Sequence, residues 1–336
     1  MVQQGERTRA DGEAGLRPAV SVVVPVFNEQ QTLDRLIERL TQALDGAGER
    51  FEVVFVNDGS RDRSAELLRA HHARDPRMKY VSLSRNFGHQ VAVTCGLDHA
   101  QGDAVIVMDG DLQDPPEVLP GLIARWREGF DVVYAVRRRR KEGWAKVLAY
   151  KAFYWILRRV SYLDIPLDSG DFSLIDRRVI DLLASMPERN RFVRGLRTWV
   201  GFRQVGYEYA REARFAGQSK YSLAKLFKLA FDGLVSYSYV PLRLVSNVGL
   251  LVSATALGYM GYLLVARLFG GTPIEGWTST VVIVLFLGGV QLLSLGVIGE
   301  YVGRIFEEVK QRPHYVVRER IGMEGETAGS SSRNRQ

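Results

Sequence analysis

Two carboxylates and an amide stand close together in the segment Asp109–Glu117, which follows the short apolar run Ala104–Met108. The run is typical of a buried strand, and we expect Asp109, Asp111 and Gln113 to leave its end on an irregular turn. Carboxylate and amide oxygens suit a hard divalent cation such as Mg²⁺ or Mn²⁺, which keeps positions open for substrate phosphates. The segment therefore predicts a metal site, with a plain turn or helix cap as the alternative.

Two more predicted strands end in polar residues. The segment Val22–Glu29 runs from apolar residues into a polar turn, and Phe51–Ser60 closes on Asp58 and a glycine turn. Strands that alternate with helices predict an α/β fold, a doubly wound and mostly parallel sheet with helices on both faces. Ligands of such sheets lie at the carboxyl ends of the strands. We therefore expect the three polar turns to form one nucleotide-and-metal site, rather than three unrelated turns.

Composition limits the classes of protein to which the chain can belong. It has 336 residues, 46% of them hydrophobic, a single cysteine at position 95 and a formal net charge of +7. One cysteine excludes an internal disulfide and fits a reducing compartment. The positive charge predicts an anionic partner. Because the sequence contains no nucleic-acid-binding motif, membrane phosphates and nucleotide phosphates explain the charge better than nucleic acid does.

Two long apolar stretches, at about residues 244–267 and 276–299, predict a transmembrane hairpin. Each exceeds the roughly 20 residues that cross a bilayer core, and buried core helices, the alternative, are rarely apolar on every face. The loop between them holds only Arg267 and Glu275, whereas basic residues flank the pair. The positive-inside rule then places both termini and the catalytic domain on the cytoplasmic side of the cell membrane. The flanking basic residues are Lys220, Lys225, Lys228, Arg243, Arg304, Lys310, Arg312, Arg318 and Arg320.

Two further segments, residues 144–160 and 221–240, mix aromatic and aliphatic residues with lysines and arginines. This composition is typical of helices that lie at the headgroup level of a membrane, and amphipathic helices packed on the core are the alternative. The predicted parts of the chain are a disordered tail over 1–18, a catalytic domain over 19–220, interfacial helices over 221–242, two transmembrane helices over 243–304, and a cytoplasmic tail over 305–336.

A series of motifs occurs in order along the chain: Pro25–Glu29, Asn57–Ser60, Ser84–Gly88, Asp109–Pro116, Ser169–Phe172, Asn190–Leu196 and Arg214–Lys220. With these motifs the chain resembles the family-two inverting glycosyltransferases, which have the GT-A fold. More narrowly, it resembles the branch that acts on polyprenyl phosphates, namely dolichol-phosphate mannose synthase and the bacterial bactoprenol glucosyltransferases. The resemblance extends from about Ser21 to the end of the second apolar stretch, and the two-span hairpin matches the bacterial subgroup.

The resemblance implies an enzyme that moves one sugar from a nucleoside-diphosphate sugar to a polyprenyl phosphate at the cytoplasmic membrane face. The donor would be UDP-glucose or a similar compound, with GDP-mannose as a second donor class. Mg²⁺ or Mn²⁺ on Asp109, Asp111 and Gln113 would be the cofactor, membrane lipids would be partners, and the protein would be a homotetramer. The implied donor-binding residues are Pro25, Phe27, Glu29, Val56, Asp58, Asp109, Gly110, Asp111, Gln113, Arg137, Arg214, Ser219 and Lys220.

Asp171 and Asp111 are the candidate catalytic residues. By resemblance Asp171 is the catalytic base. However, a lipid monophosphate has a second pKa of about 6, so it is mostly a dianion at neutral pH and hardly needs a base. Asp171 is therefore expected either to accept a proton or to orient the sugar and the attacking group. The candidate ligands of the acceptor phosphate are Lys146, Tyr150, Arg191 and Arg194, with helix packing as the alternative for the last two.

Two other functions compete with this interpretation. A processive polysaccharide synthase would carry a Gln-x-x-Arg-Trp signature and more membrane spans, whereas this chain has only a partial match at Arg197–Trp199. A non-catalytic membrane scaffold would have no reason to keep the carboxylates Asp109, Asp111 and Asp171. The acidic motifs therefore favour the glycosyltransferase.

Overall fold

The computed structural model describes residues 18–137, 169–189, 191–210, 240–269 and 276–323. These residues fall into two units. The first unit contains the described residues up to 210 together with 313–323, and the second contains 240–269 and 276–312.

The strands and helices of the first unit alternate along the chain, as the polar turns and apolar runs predict. Its strands are β1 (Val20–Val26), β2 (Phe51–Asn57), β3 (Met78–Leu83), β4 (Ala104–Val107), β5 (Val132–Arg137), β6 (Ser169–Asp176), β7 (Gln204–Tyr209) and β8 (Val317–Ile321). Its helices are α1 (Leu33–Gly46), α2 (Ser64–Arg74), α3 (His89–His99), α4 (Leu119–Arg127), α5 (Arg177–Ser185) and α6 (Val193–Trp199), with a short 3₁₀ helix at Pro116–Val118.

The strands form one sheet in the order β7-β5-β6-β4-β1-β2-β3-β8. The block β4-β1-β2-β3 is parallel, and β7 is parallel to β5. Strand β6 runs antiparallel to both of its neighbours, and β8 runs antiparallel to β3. The prediction of a doubly wound, mostly parallel, GT-A-like sheet is confirmed.

Both faces of the sheet are covered by helices, which explains why β1 reads as a continuous apolar run. All seven residues of β1 are buried, as is usual for a parallel strand between two helical layers. Val22 and Val24 pack in the core on the side of α1, whereas Val23 packs in the core on the side of α3. Helix α1 turns one apolar stripe to the sheet, since its buried residues recur three or four positions apart. These residues are Leu33, Leu36, Ile37, Leu40 and Leu44.

The C-terminal segment differs from the predicted tail over residues 305–336. Strand β8 pairs with β3, and the exposed carboxylate of Glu319 accepts hydrogen bonds from Arg69, with an Nη2–Oε2 distance of 2.7 Å. The sequence signal is weak because β8 lies at the sheet edge and only Val317 and Ile321 are apolar. An edge strand rich in charged residues therefore escapes a search for apolar runs.

The second unit consists of two long helices, α7 (Val240–Leu268) and α8 (Trp277–Val309). By length and composition each can cross a membrane, with candidate spans at Leu242–Tyr262 and Phe286–Val309. The predicted pair of apolar helices is confirmed, although α8 continues well past residue 299 and its candidate span starts at residue 286 rather than 276. The segments 144–160 and 221–239, predicted to be interfacial, lie outside the described residues.

Candidate active site

The predicted polar turns meet at one edge of the sheet. Val26 of β1 lies beside Asn57 of β2, and Val23 lies beside Val107 of β4, so the turns that follow these strands share the carboxyl edge. Because β6 is antiparallel to β4, its first residues, including Asp171, reach the same edge. The fold therefore brings together the motifs that are far apart in the sequence.

The turns after β1 and β2 are joined by hydrogen bonds. The backbone N–H of Asn28 donates to Ser60 Oγ at 3.0 Å, and Arg61 N–H donates to Asn28 Oδ1 at 2.8 Å. The N–H of Glu29 donates to Ser64 Oγ at 3.0 Å. These bonds hold Asn28 in a left-handed conformation, with φ at 58°. The result is a rigid rim on which Phe27 stands 46% exposed.

Two residues predicted to wall the nucleobase lie in the interior instead. Val56 is fully buried in the core, and Pro25 is buried within β1. Gly110 lies beside the carbonyl oxygen of Pro25. Val56 and Pro25 therefore support the rim from below and offer no surface to a base, because an unbroken parallel strand points its side chains into helical layers on both sides.

Asp58 holds the turn that starts α3. Its Oδ1 accepts from the N–H of Phe87 at 2.6 Å, and its Oδ2 accepts from the N–H of Gly88 at 2.9 Å. Burial raises the pKa of Asp58, against the effect of these two bonds. Gly59 is required here, since its φ is +68° and a Cβ would lie 2.6 Å from the Arg85 carbonyl carbon. Asp58 therefore has a structural role in this turn. Its contact with the base or ribose stays a prediction.

The predicted metal ligands form a tight acidic turn after β4. Asp111 Oδ1 accepts from the N–H of Gln113 at 3.1 Å, and Leu112 between them has φ at 59°. Burial and the charges of Asp114, Asp111 and Asp171 raise the pKa of Asp109 to about 6, although His89 opposes them. Such crowding of like charges is relieved by a cation.

The donor set fits a divalent cation shared with a substrate. Among the described residues no three His, Cys, Asp or Glu side chains converge into a complete metal site. Mg²⁺ is usually bound by one or two carboxylates together with substrate phosphates. Asp109 and Asp111, with the amide of Gln113, match that pattern.

Asp171 lies at the centre of a second cluster, between α3 and α6. Its Oδ2 accepts from Gln90 Nε2 at 2.7 Å and lies 3.3 Å from His89 Nε2, while its Oδ1 lies 3.4 Å from Arg194 Nη2. Burial alone would raise the pKa of Asp171, but the bond with His89 and the charge of Arg194 outweigh it and hold the pKa well below its usual range. Asp171 is therefore ionised at neutral pH.

His89 lies between the acidic turn after β4 and the cluster around Asp171. Its Nε2 lies 3.3 Å from Asp171 Oδ2 and 3.6 Å from Asp109 Oδ1. Burial would lower the pKa of His89, but the hydrogen bond to Asp171 and the charge of Asp109 outweigh it, so the pKa is raised. Sequence analysis did not single out His89 or Gln90, although both follow the Ser84–Gly88 motif directly.

The basic residues around α6 have different environments. Arg191 donates from Nη2 to the carbonyl oxygens of Leu183 and Met186, so it closes the end of α5. These contacts agree with the helix-packing alternative for Arg191. Binding of the acceptor phosphate by Arg191 stays a prediction. Arg194 does reach the site. Arg197 is 1% exposed, its Nε and Nη2 have no hydrogen-bond partner among the described residues, and burial lowers its pKa to about 10.

Arg137 lies at the end of β5, beside a hydroxyl and a carboxylate that the sequence did not single out. Arg137 Nε donates to Tyr209 Oη at 3.4 Å, and the Tyr209 hydroxyl donates to Asp114 Oδ1. The ring of Tyr209 packs edge-on against Phe172, with centroids 5.6 Å apart. Lys146, Tyr150, Arg214, Ser219 and Lys220 lie outside the described residues.

The sequence profile of "Glycosyl transferase family 2" matches residues 21–183, and that of "GtrB C-terminal hairpin" matches residues 240–305. The chain is 49% identical over 305 residues to "Uncharacterized glycosyltransferase YkcC" of Bacillus subtilis, covering 90% of this chain and 94% of that protein. It is 41% identical over 300 residues to the "SfII prophage-derived bactoprenol glucosyl transferase" of Shigella flexneri, covering 89% and 97%. The "Prophage bactoprenol glucosyl transferase homolog" of Escherichia coli is 39% identical, covering 89% and 98%.

Proposed function

The chain belongs to glycosyl transferase family 2, and from this membership and the site we propose that it transfers one sugar from a nucleoside-diphosphate sugar to a polyprenyl phosphate at the cytoplasmic face of a membrane. One observation carries the proposal: the acidic turn after β4 and the cluster around Asp171 meet at one edge of the sheet. The acidic turn at Asp109–Asp114 would receive the donor diphosphate, and the Asp171 cluster lies beside it.

The donor end of the site has the features that a nucleotide requires. The joined turns after β1 and β2 form a rigid rim, and exposed Phe27 offers an aromatic surface for a base. Glucose is the sugar we propose, and UDP-glucose the donor, because two of the three named relatives carry the name bactoprenol glucosyl transferase. Rigid recognition surfaces lose little conformational entropy when the ligand binds.

We propose Mg²⁺ or Mn²⁺ as the cofactor, held by Asp109, Asp111 and Gln113. When bound, the cation would offset the negative charge that gathers on the departing diphosphate. The raised pKa of Asp109 agrees with the proposal, since burial and, after it, the neighbouring carboxylates disfavour the ionised form of Asp109, which a cation would stabilise. The loop Arg214–Lys220 would add positive charge around the same phosphates.

The reaction would be a single displacement with inversion. An oxygen of the acceptor phosphate forms a bond to the anomeric carbon of the sugar, while the bond from that carbon to the diphosphate oxygen breaks. The phosphate is mostly a dianion above a pKa of about 6, so no proton has to be removed. We assign Asp171 a positioning role, because a carboxylate that is ionised and paired with Arg194 and His89 is a poor proton acceptor.

The acceptor would approach from the membrane to which α7 and α8 anchor the chain. Arg194 is the candidate phosphate ligand that the described residues keep near Asp171. Lys146 and Tyr150 remain predicted ligands from the segment that would lie at the membrane surface. A lipid-linked phosphate also agrees with the net charge of +7.

Transfer assays with membranes containing the full chain test the proposal. With UDP-glucose and undecaprenyl phosphate we expect glucosyl phosphoryl-undecaprenol, and we expect no product with undecaprenol, which lacks the phosphate. Excess chelator, and separately Asp111→Asn, should reduce turnover by orders of magnitude because the diphosphate would lose its cation. Transfer to undecaprenol at a comparable rate would refute the acceptor, and full activity in chelator would refute the metal. A panel of other nucleotide sugars identifies the donor.

A further inference from the structure

The hydroxyl group of Tyr209 links two groups that come from distant parts of the sequence. On one side it donates to the carboxylate of Asp114, in the acidic turn after β4. On the other side it accepts from Nε of Arg137, the last residue of β5. Tyr209 is 5% exposed and Asp114 is 1% exposed, so both are fixed inside the fold. The ring of Tyr209 is also held by its edge-on contact with Phe172.

The far end of Arg137 is left available to a ligand. Within the part of the chain that the structure describes, Nε is the only guanidinium nitrogen of Arg137 with a hydrogen bond, and Nη1 and Nη2 have none. The side chain is half-buried, and it interacts electrostatically with both Asp114 and Asp109. A guanidinium that is tied at Nε and open at both Nη atoms presents a planar fork, the geometry that binds phosphate oxygens in pairs.

Gly170 leaves room for this fork. A Cβ atom at Gly170 would lie 3.1 Å from Arg137 Nη2, which is tighter than an ordinary contact. The guanidinium thus rests against the backbone of β6, one residue before Asp171. The absence of a side chain at residue 170 lets Arg137 lie across the space between the acidic turn and the Asp171 cluster.

We propose that Tyr209 is a positioning residue, which with Asp114 holds the Arg137 fork towards the diphosphate of the donor. The proposal deepens the proposed function, since it assumes a nucleotide bound at the acidic turn. An arginine that is free to rotate would lose side-chain entropy each time the diphosphate bound, and the tether removes most of that loss beforehand.

The test is nucleotide binding to the purified full-length protein, measured by calorimetry with UDP, and with GDP if UDP does not bind. Tyr209→Phe keeps the ring and removes the hydroxyl, so we expect the dissociation constant to rise about tenfold, the effect of one lost or weakened charge-assisted contact. Tyr207→Phe is the matched control. Tyr207 lies two residues earlier on β7, and its hydroxyl has no hydrogen bond among the described residues, so we expect a change of less than about twofold.

A double-mutant cycle distinguishes positioning from a general structural effect. If Tyr209 acts through Arg137, Tyr209→Phe should have no further effect on binding in an Arg137→Gln background. Gly170→Ala, which displaces the guanidinium without touching Tyr209, should weaken binding in the native protein and not in Arg137→Gln. If Tyr209→Phe fails to fold, Gly170→Ala still tests whether binding depends on the placement of the Arg137 guanidinium, and unchanged binding would overturn the proposal.

The proposal would be overturned if Tyr209→Phe left the dissociation constant unchanged. It would also be overturned if Tyr209→Phe raised the dissociation constant by the same factor in Arg137→Gln as in the native protein. The binding assay contains no acceptor. A failure of the polyprenyl-phosphate assignment in the transfer assay would therefore leave this test intact, and the two results can be told apart.

Discussion

At the scale of single residues, the site is a set of charges whose partners decide their roles. Asp171 receives contacts from Gln90, His89 and Arg194, which come from two helices on one face of the sheet. The sequence identified the carboxylate, since it lies in a short motif with a glycine. It could not pair that carboxylate with Arg194, His89 and Gln90, although these lie in or beside other motifs, because the contacts join segments that are distant along the chain.

The same distinction applies to residues that lie in a motif but make their contacts elsewhere. Val56 and Arg191 were singled out because they stand in or beside motifs, yet Val56 points into the core and Arg191 closes the end of α5. A motif reports that a backbone segment is at the site. The direction of each side chain depends on strand register and helix phase, which a single sequence does not give.

Substitutions of Arg194 and Arg197, which lie on the same helix, should change the free energy of unfolding in opposite directions. Arg197 is fully buried, and its Nε and Nη2 have no hydrogen-bond partner among the described residues, so Arg197→Met should raise the free energy of unfolding by about 1 kcal/mol. Arg194→Met removes one of the two cationic partners of the buried Asp171 carboxylate and leaves His89, so it should lower the free energy of unfolding by about 1–2 kcal/mol. Thermal unfolding of the purified variants measures both. A destabilised Arg197→Met protein would show that its guanidinium has a stabilising partner.

At the scale of secondary-structure elements, the parallel strands were predictable and the edges of the sheet were not. Strands β1, β2 and β4 are buried on both faces and therefore appear as apolar runs. Strand β7 is half-buried, and β8 has three consecutive charged residues between Val317 and Ile321. Edge strands of this kind resemble solvated loops in composition, and only the pairing partner reveals them.

Strand β8 should contribute to the stability of the first unit. A chain that ends after Arg312 loses the ladder to β3, the Arg69–Glu319 ion pair and the hydrogen bond from Tyr315 to Asp98 at 2.9 Å. We expect its melting temperature to fall by roughly 5 °C, and its β3 edge to promote aggregation. A chain that ends after Met323 is the control and should melt like the full-length protein. Equal melting of both truncated proteins would show that β8 is dispensable.

At the scale of the whole molecule, the charge distribution predicts a membrane topology. Basic residues flank the pair of apolar helices, whereas the only charged residues between the two apolar stretches are Arg267, near the end of α7, and Glu275. The sheet gives an independent reason for the same topology. Strand β3 precedes both helices in the sequence and β8 follows them, yet the two strands pair. If α7 and α8 cross a bilayer, the chain must return to the side from which it started.

A protease-cleavable tag tests this topology in intact cells. Inserted between Gly270 and Gly271, in the loop that joins the two helices, the tag should be cut by protease added outside the cell membrane. Tags at residue 1 or residue 336 should be cut only after the membrane is permeabilised. Cleavage of either terminal tag in sealed cells would contradict a cytoplasmic catalytic unit.

The pairing of β8 with β3 also fixes an order of events during synthesis. The ribosome makes β8 after both apolar helices, so the sheet gains its last strand only when those helices have already left the ribosome. A chain that is interrupted between α7 and β8 carries the acidic turn and the Asp171 cluster but has an open sheet edge, a state prone to association with other chains. Completion of the catalytic sheet is thereby delayed until the membrane hairpin has been translated.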